Sequence, residues 1–132
     1  MAYALIVVRA ALCLVTLHAC SGGTQQSVPP TWVSVSAPTH VTAAADGTYA
    51  WVVTYTYSDA DDFVTQLAVT FSLNGKAAAP TIIPPAQASS LSQGTTITFP
   101  AVTKGKTYDW TFVLTDQGGQ KSAPYAGTVT LD

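Results

Sequence analysis

The chain has few charged residues, because Asp, Glu, Lys and Arg together make up only 9% of its 132 residues. Glutamate is absent, Arg9 is the only arginine, and four scattered lysines are set against seven aspartates. A surface of this kind cannot neutralise a phosphate backbone, so nucleic acid is a poor candidate partner. For the same reason, we do not expect the protein to bind anionic lipids through a basic patch. Of Glu, Lys, Arg, Leu and Met, on which helices generally draw, most are also scarce, which argues against a helical fold.

Groups for catalysis are equally scarce. His40 is the only histidine after residue 20, and no cysteine or methionine follows Cys20. A nucleophile needs a base held beside it, and His40, close to Pro38, is expected to be a solvated strand residue. No G-x-S-x-G, P-loop or H-E-x-x-H pattern occurs. We therefore expect a protein that is not an enzyme, with no ligand set for zinc or copper.

Both cysteines, Cys13 and Cys20, lie in or beside an apolar N-terminal run. Arg9, the apolar residues 10–19 and the small residue Ala19 have the order of a secretory signal. An uncleaved membrane anchor is the alternative, but Arg9 near its middle would cost about 2.5–3.5 kcal/mol. The exported domain would contain no disulfide and must rely on its hydrophobic core.

The end of this run, Leu17, Ala19 and Cys20, resembles the lipobox of bacterial lipoproteins. The resemblance implies a signal peptide of residues 1–19, a lipid on Cys20 and a place in the bacterial cell envelope. Because Ser21 rather than Asp follows, it also implies the outer membrane where the host has one. Residues 20–30 would then be the lipid-bearing cysteine and a flexible tether. Plain secretion after cleavage of the signal is the alternative.

Alternation of apolar and polar residues with period two predicts short strands after residue 30. Tyr49, Trp51 and Val53, for example, fall on one face of a strand, and Ala50 and Val52 on the other. The predicted strands are 32–36 (resumed at 40–43), 48–58, 65–73, 81–83, 95–99, 107–116 and 125–131. Prolines bracket the first and the fourth, which predicts that these two are edge strands, and 86–94 is expected to be a loop. Seven such strands predict an all-β, immunoglobulin-like sandwich over residues 31–132.

One segment indicates which kind of immunoglobulin-like sandwich to expect. Val102, Gly105 and Tyr108 resemble the tyrosine corner of fibronectin type III domains, with Lys104 where proline is usual. Residues 95–131 as a whole are similar to the last strands of that family. The resemblance implies a fibronectin III-like sandwich in which Gly105 and Tyr108 are structural residues. The ring of Tyr108 is then expected in the core, with its hydroxyl bonded to the backbone of residues 102–104.

Acidic side chains are concentrated in one short segment, at Asp59, Asp61 and Asp62. In an immunoglobulin-like topology the loops after the second and sixth predicted strands lie at the same end, which would bring Asp116 beside them. Calcium prefers such oxygen ligands, so these four aspartates predict a calcium site, the one cofactor considered for this chain. The alternative is that Asp59 caps a turn and the others are solvated.

Aromatic residues near strand starts, Trp32 and Tyr125, are the ones expected at the surface, where a pair of rings could stack on a sugar or anchor a protein. Taken together, the sequence predicts a non-catalytic binding or structural module, anchored at the envelope and directed at a protein or a glycan. An accessory subunit of a larger envelope complex is the alternative, and a small lipid-anchored enzyme is a third.

Overall fold

The computed structural model describes residues 27–132, so the predicted signal of residues 1–19, Cys20 and most of the tether lie outside the described residues. In the described part, nine strands and one turn of 3₁₀ helix follow one another, and no helix has the length and apolarity needed to span a bilayer. The strands are β1 (Thr31–Ser36), β2 (His40–Val41), β3 (Tyr49–Ser58), β4 (Val64–Leu73), β5 (Lys76–Ala77), β6 (Thr81–Ile83), β7 (Ser90–Phe99), β8 (Thr107–Asp116) and β9 (Tyr125–Leu131), with the 3₁₀ turn at Ala101–Thr103.

The strands form two sheets. The smaller sheet has the order β1-β3-β7, and the larger one has the order β2-β9-β8-β4-β5, with β6 also paired to β4. All pairs are antiparallel except β2 with β9. The seven predicted strands are all present, but the described residues contain nine, because the two-residue strands β2 and β5 are separate elements. The all-β sandwich is confirmed.

The core lies between the two sheets and is rich in aromatic rings. On β3 every second side chain is at most 1% exposed, from Tyr49 to Tyr57. Trp51 lies at the centre, with its ring centroid 5.4 Å from that of Trp110 and 5.9 Å from that of Phe112. Its indole N–H donates to the carbonyl of Pro38 at 2.8 Å. Within the described residues, the core and the apolar side chains packed on it extend from Trp32 to Leu131.

Strand β7 corrects the sequence analysis. Residues 90–94, expected to be part of a loop, are strand, and β7 pairs with β3 without interruption from Ser58↔Ser90 to Tyr49↔Phe99. The small polar residues there have little strand signal of their own. The long, well-patterned β3 supplies the pairing partner, and such tertiary context outweighs intrinsic propensity.

The edge strands predicted at 32–36 and 81–83 are confirmed, since β1 and β6 each pair on one side only. The register of β1 on β3 shifts between Trp32 and Ser34, which marks a bulge or irregularity in that edge. The sequence analysis did not predict that β7 is the other edge of the smaller sheet.

The corner before β8 differs from the one that the fibronectin III resemblance implies. The ring of Tyr108 is half-buried and packs on Phe71 and Phe99, with centroid distances of 6.2 and 5.4 Å. Its hydroxyl, however, makes no hydrogen bond within residues 27–132, so the expected bond to residues 102–104 is not formed. Gly105, at a positive φ of 72°, ties the corner instead by donating its N–H to the carbonyl of Leu131 at 2.6 Å.

Candidate functional site

Four segments of the chain meet at one end of the sandwich, and this end carries the predicted calcium ligands. Strand β3 ends there and β1 begins there, since Thr31 pairs with Ser58. The N–H of Asp59 donates to Ser89 at 2.5 Å, and the N–H of Gln117 donates to Phe63 at 3.0 Å. We call the set Asp59, Asp61, Asp62 and Asp116 the acidic end.

Each aspartate of the loop between β3 and β4 uses one carboxylate oxygen to accept backbone N–H groups. Asp59 Oδ1 accepts the N–H groups of Asp61 and Asp62 at 3.5 and 3.3 Å. Asp62 Oδ1 accepts the N–H of Phe63 at 2.8 Å, and Asp61 Oδ2 accepts the N–H of Val28 at 3.0 Å. Such side-chain bonds to nearby backbone are what aspartate provides in turns. Asp59 thus caps a turn, as the alternative interpretation expects, but Asp116 is buried rather than solvated.

Two of these aspartates are deeply buried and only partly satisfied. Asp59 is 5% exposed and Asp116 is 2% exposed. Asp116 Oδ1 accepts the N–H of Gln120 at 2.7 Å, but neither Asp59 Oδ2 nor Asp116 Oδ2 has a hydrogen-bond partner among residues 27–132. Burial raises the pKa of Asp59 above its ordinary value, and the nearby charge of Asp116 raises that pKa further. The charges of the two carboxylates thus repel each other.

Side-chain oxygens from three segments also crowd around Gly118. A Cβ built on this glycine would lie 3.1 Å from Ser27 Oγ, 3.4 Å from Asp116 Oδ1 and 3.7 Å from Asp62 Oδ2. Ser27 Oγ is itself buried without a hydrogen-bond partner. Ser27 is far from the aspartates in sequence and has no motif around it, so sequence reasoning could not have placed it here.

An open depression of about 480 Å³ lies beside these groups and is lined by residues 59–63 and 87–89. The fold brings Asp116 to the same end as the other three aspartates, as the sequence analysis expected. Yet among residues 27–132 no three or more His, Cys, Asp or Glu side chains are grouped so that they could hold a metal ion. The four aspartates therefore do not form a ready-made calcium cage.

The aromatic pair expected at the surface is only half exposed. Tyr125 is 39% exposed. Trp32 is half-buried, with its ring centroid 6.1 Å from both Tyr125 and Tyr55, and its N–H donates to Ala123 at 2.9 Å. Trp32 thus belongs to the packing between the sheets, and Tyr125 alone presents a ring to solvent.

His40 is exposed, as expected, and its Nδ1 lies 2.9 Å from Asp132 Oδ2. An exposed pair of this kind contributes roughly 0–1 kcal/mol to stability. His40 has the surroundings of a solvated strand residue.

Comparison with solved structures supports the fold. No protein-family model matches the sequence, and no curated protein matches it. The PKD domain of an M14-like peptidase from Thermoplasmatales archaeon SCGC AB-540-F20 matches 80% of this chain and 97% of its own length. The TM-score is 0.50 and the identity is 17%. The chain has an immunoglobulin-like fold. At this identity the likeness shows the fold alone.

Two weaker matches are to domains of other kinds. The CARDB domain of the PF1109 protein from Pyrococcus furiosus, solved in complex with di-metal ions, is 10% identical, with a TM-score of 0.42 over 78% of this chain and 90% of that one. A superoxide reductase (neelaredoxin) from Ignicoccus hospitalis is 12% identical, with a TM-score of 0.45 over 80% of this chain and 82% of that one. Both TM-scores are below 0.5, which is too low to support an inference about this chain.

Proposed function

We propose that this chain is a non-catalytic binding or structural module, held at the bacterial cell envelope by a lipid on Cys20. The observation that carries the proposal is that a lipobox-like segment is followed, about ten residues later, by an immunoglobulin-like sandwich with an aromatic-rich core. A short segment, residues 20–30, separates the predicted lipid from the first strand. That arrangement is what an anchored module needs to present a folded domain near a membrane.

The anchor is tested by the variant Cys20→Ser, compared with Cys13→Ser as its matched control. Cys13 lies inside the predicted signal and would leave with it, so its loss should change nothing. We expect Cys20→Ser to leave the membrane fraction and to accumulate as unprocessed precursor. The intact mass of the wild-type protein should show an acylated N-terminus at residue 20. An unmodified N-terminus, or a chain that still begins at Met1, would contradict the proposal.

The partner is proposed to be a protein or a glycan. Purification of the tethered wild-type protein from solubilised membranes, with Cys20→Ser as the control, would separate the two anchored roles. Recovery in fixed proportion with other envelope proteins would favour the accessory subunit. Recovery of the protein alone, together with retention on an immobilised glycan or a single protein, would favour the binding module.

We also propose that the acidic end binds calcium through Asp59 and Asp116, with Asp61 and Asp62 at the rim of the depression. The support is the pair of buried carboxylate oxygens that have no hydrogen-bond partner and repel each other. A calcium ion takes six to eight oxygen ligands, so backbone carbonyls and water would complete the shell. Binding of a cation would remove the repulsion between the two carboxylates.

Calcium binding is tested by melting residues 27–132 in millimolar calcium and in EDTA. A ligand at one hundred times its Kd stabilises the folded state by about 2.7 kcal/mol. We expect calcium to raise the melting temperature, and Asp116→Asn, or Asp61→Asn with Asp62→Asn, to abolish the rise. Asp109→Asn, an exposed aspartate on β8, is the control and should keep it. Equal melting of the wild type in calcium and EDTA would leave these aspartates as turn residues only.

A further inference from the structure

Among residues 27–132, strand β7 is a long edge strand, and the segment before it meets it where the N–H of Ala86 donates to Gln93 Oε1 at 3.4 Å. Edge strands expose unpaired backbone N–H and C=O groups, and proteins blunt them with proline, charge, bulges or short length. In the described residues, β1 has a register shift, β2 and β5 are two residues long, and β6 is a three-residue strand between Pro80 and Pro84. Strand β7 has ten residues, none of them charged and none of them proline, and its pairing with β3 is unbroken.

On the inner face of β7, two apolar side chains are incompletely covered. Leu91 and Ile97 pack against the core but are only half-buried, whereas Phe99 at the end of the strand is 8% exposed. A further strand beside β7 would extend the smaller sheet and cover both aliphatic side chains. The edge therefore offers backbone hydrogen bonds and apolar contact together, which is the combination used in strand addition.

Going outward from Gly94, the residue types of β7 are similar in both directions along the strand. The added strand can therefore be β7 of a second copy of this chain. In an antiparallel pair related by a two-fold axis through Gly94, each residue faces the one at the same distance on the other side. Directly opposite residues share a face of the sheet, so inner residues meet inner residues. The facing pairs are Ser90 with Thr98, Leu91 with Ile97, Ser92 with Thr96, Gln93 with Thr95, and Gly94 with itself.

Each of these pairs is favourable or neutral. Hydroxyl groups face hydroxyl groups on the outer face, aliphatic side chains face each other on the inner face, and no charge meets its own copy. A strand that is suited to another copy of itself in this way supports an isologous two-fold interface. The bulged β1 at the far edge of the sheet would stop further growth.

We propose that β7 pairs antiparallel with β7 of a second copy of this chain, in the register centred on Gly94. The product is a closed dimer with one continuous six-stranded sheet, in the order β1-β3-β7 followed by its two-fold mate. The pairing does not depend on the lipid.

The register is tested in the full chain by a cysteine on the two-fold axis. Cα atoms of directly opposite residues in an antiparallel pair are about 4.5–5.5 Å apart, within the usual range of about 4.4–6.8 Å for a disulfide. Under mild oxidation Gly94→Cys should give a disulfide-linked dimer on a non-reducing gel. Ser34→Cys, on the exposed face of β1, is the matched control and should stay monomeric. No dimer from Gly94→Cys, or equal dimer from both variants, would overturn the proposal.

A charge test separates pairing from accidental cross-linking. The full chain should sediment as a dimer, while Gly94→Lys and Gly94→Glu should each dimerise several-fold more weakly, because like charges then face each other on the axis. Mixing the two variants should restore the dimer, and Ser34→Lys should dimerise as the wild type does. A monomeric wild type, or no recovery in the mixture, would refute self-pairing and leave the edge to a strand of another protein.

Discussion

Replacing Gly127 by alanine tests how tightly the aromatic core is packed, because two effects of opposite sign meet there. Gly127 lies on β9 directly opposite Trp110 on β8. A Cβ at this position would lie 2.5, 2.9 and 3.2 Å from three atoms of the Trp110 ring. The indole cannot easily withdraw, since its centroid is 4.7 Å from that of Phe112 and 5.4 Å from that of Trp51. The added methyl group must therefore displace several packed rings.

The balance of the two effects gives the expected magnitude. Alanine in a strand is better than glycine by about 0.5–1 kcal/mol, because the unfolded chain loses less freedom. Overpacking a well-filled core costs about 1–3 kcal/mol. The difference is about 0–2.5 kcal/mol, and because a contact of 2.5 Å forces the ring to move, we expect Gly127→Ala to lower the free energy of unfolding by about 1–2.5 kcal/mol, in the upper part of that range.

Gly94 supplies the matched control. A Cβ there would meet only Thr54 Cγ2 at 3.7 Å and the carbonyl oxygen of Val53 at 3.8 Å, which are ordinary contacts. Gly94→Ala should therefore raise the free energy of unfolding by about 0.5–1 kcal/mol. Urea unfolding of residues 27–132 measures both, at a protein concentration low enough to exclude dimers. If Gly127→Ala is as stable as the wild type or more stable, the argument from the Trp110 contact is wrong.

Tyrosine-to-phenylalanine variants give further tests of the buried hydroxyl groups. Tyr108→Phe should leave the free energy of unfolding unchanged, since the Tyr108 hydroxyl makes no hydrogen bond in the described residues. Tyr57→Phe should lower the free energy of unfolding by about 0.5–1.5 kcal/mol, because the Tyr57 hydroxyl donates to the carbonyl of Ala86 at 3.2 Å. Equal effects of Tyr108→Phe and Tyr57→Phe would contradict the structure. Tyr55→Phe should raise the free energy of unfolding by about 1 kcal/mol, because the Tyr55 hydroxyl is buried without a partner. Burial raises the pKa of Tyr55 from 10.0 to about 12, so the folded state holds this proton more tightly than the unfolded state. The stability of the wild type should therefore fall as the pH rises between these values, and that of Tyr55→Phe should fall less steeply.

Residues 90–94 and the corner before β8 show where the sequence analysis was wrong. Ser90 to Gly94 have no strong strand pattern, and they are strand because β3 pairs with them along its whole length. At the corner, the ring of Tyr108 packs against the core but is only half-buried. The Tyr108 hydroxyl has no partner, and the turn at Ala101–Thr103 is held locally by the side chain of Thr103, which donates to Pro100 at 2.6 Å.

The sequence alone determined the all-β class, the position of most strands and the side chains that face the core. These properties follow from local patterns, because a period-two alternation such as that of β3 puts its large residues on one face whatever strand lies beside it. Tertiary structure decided which strands are neighbours, and so which edge is left open. It also decided that Asp59 and Asp116 lie buried together with one unpaired oxygen each. Such juxtapositions depend on the packing of segments that are distant in sequence, and no local pattern records them.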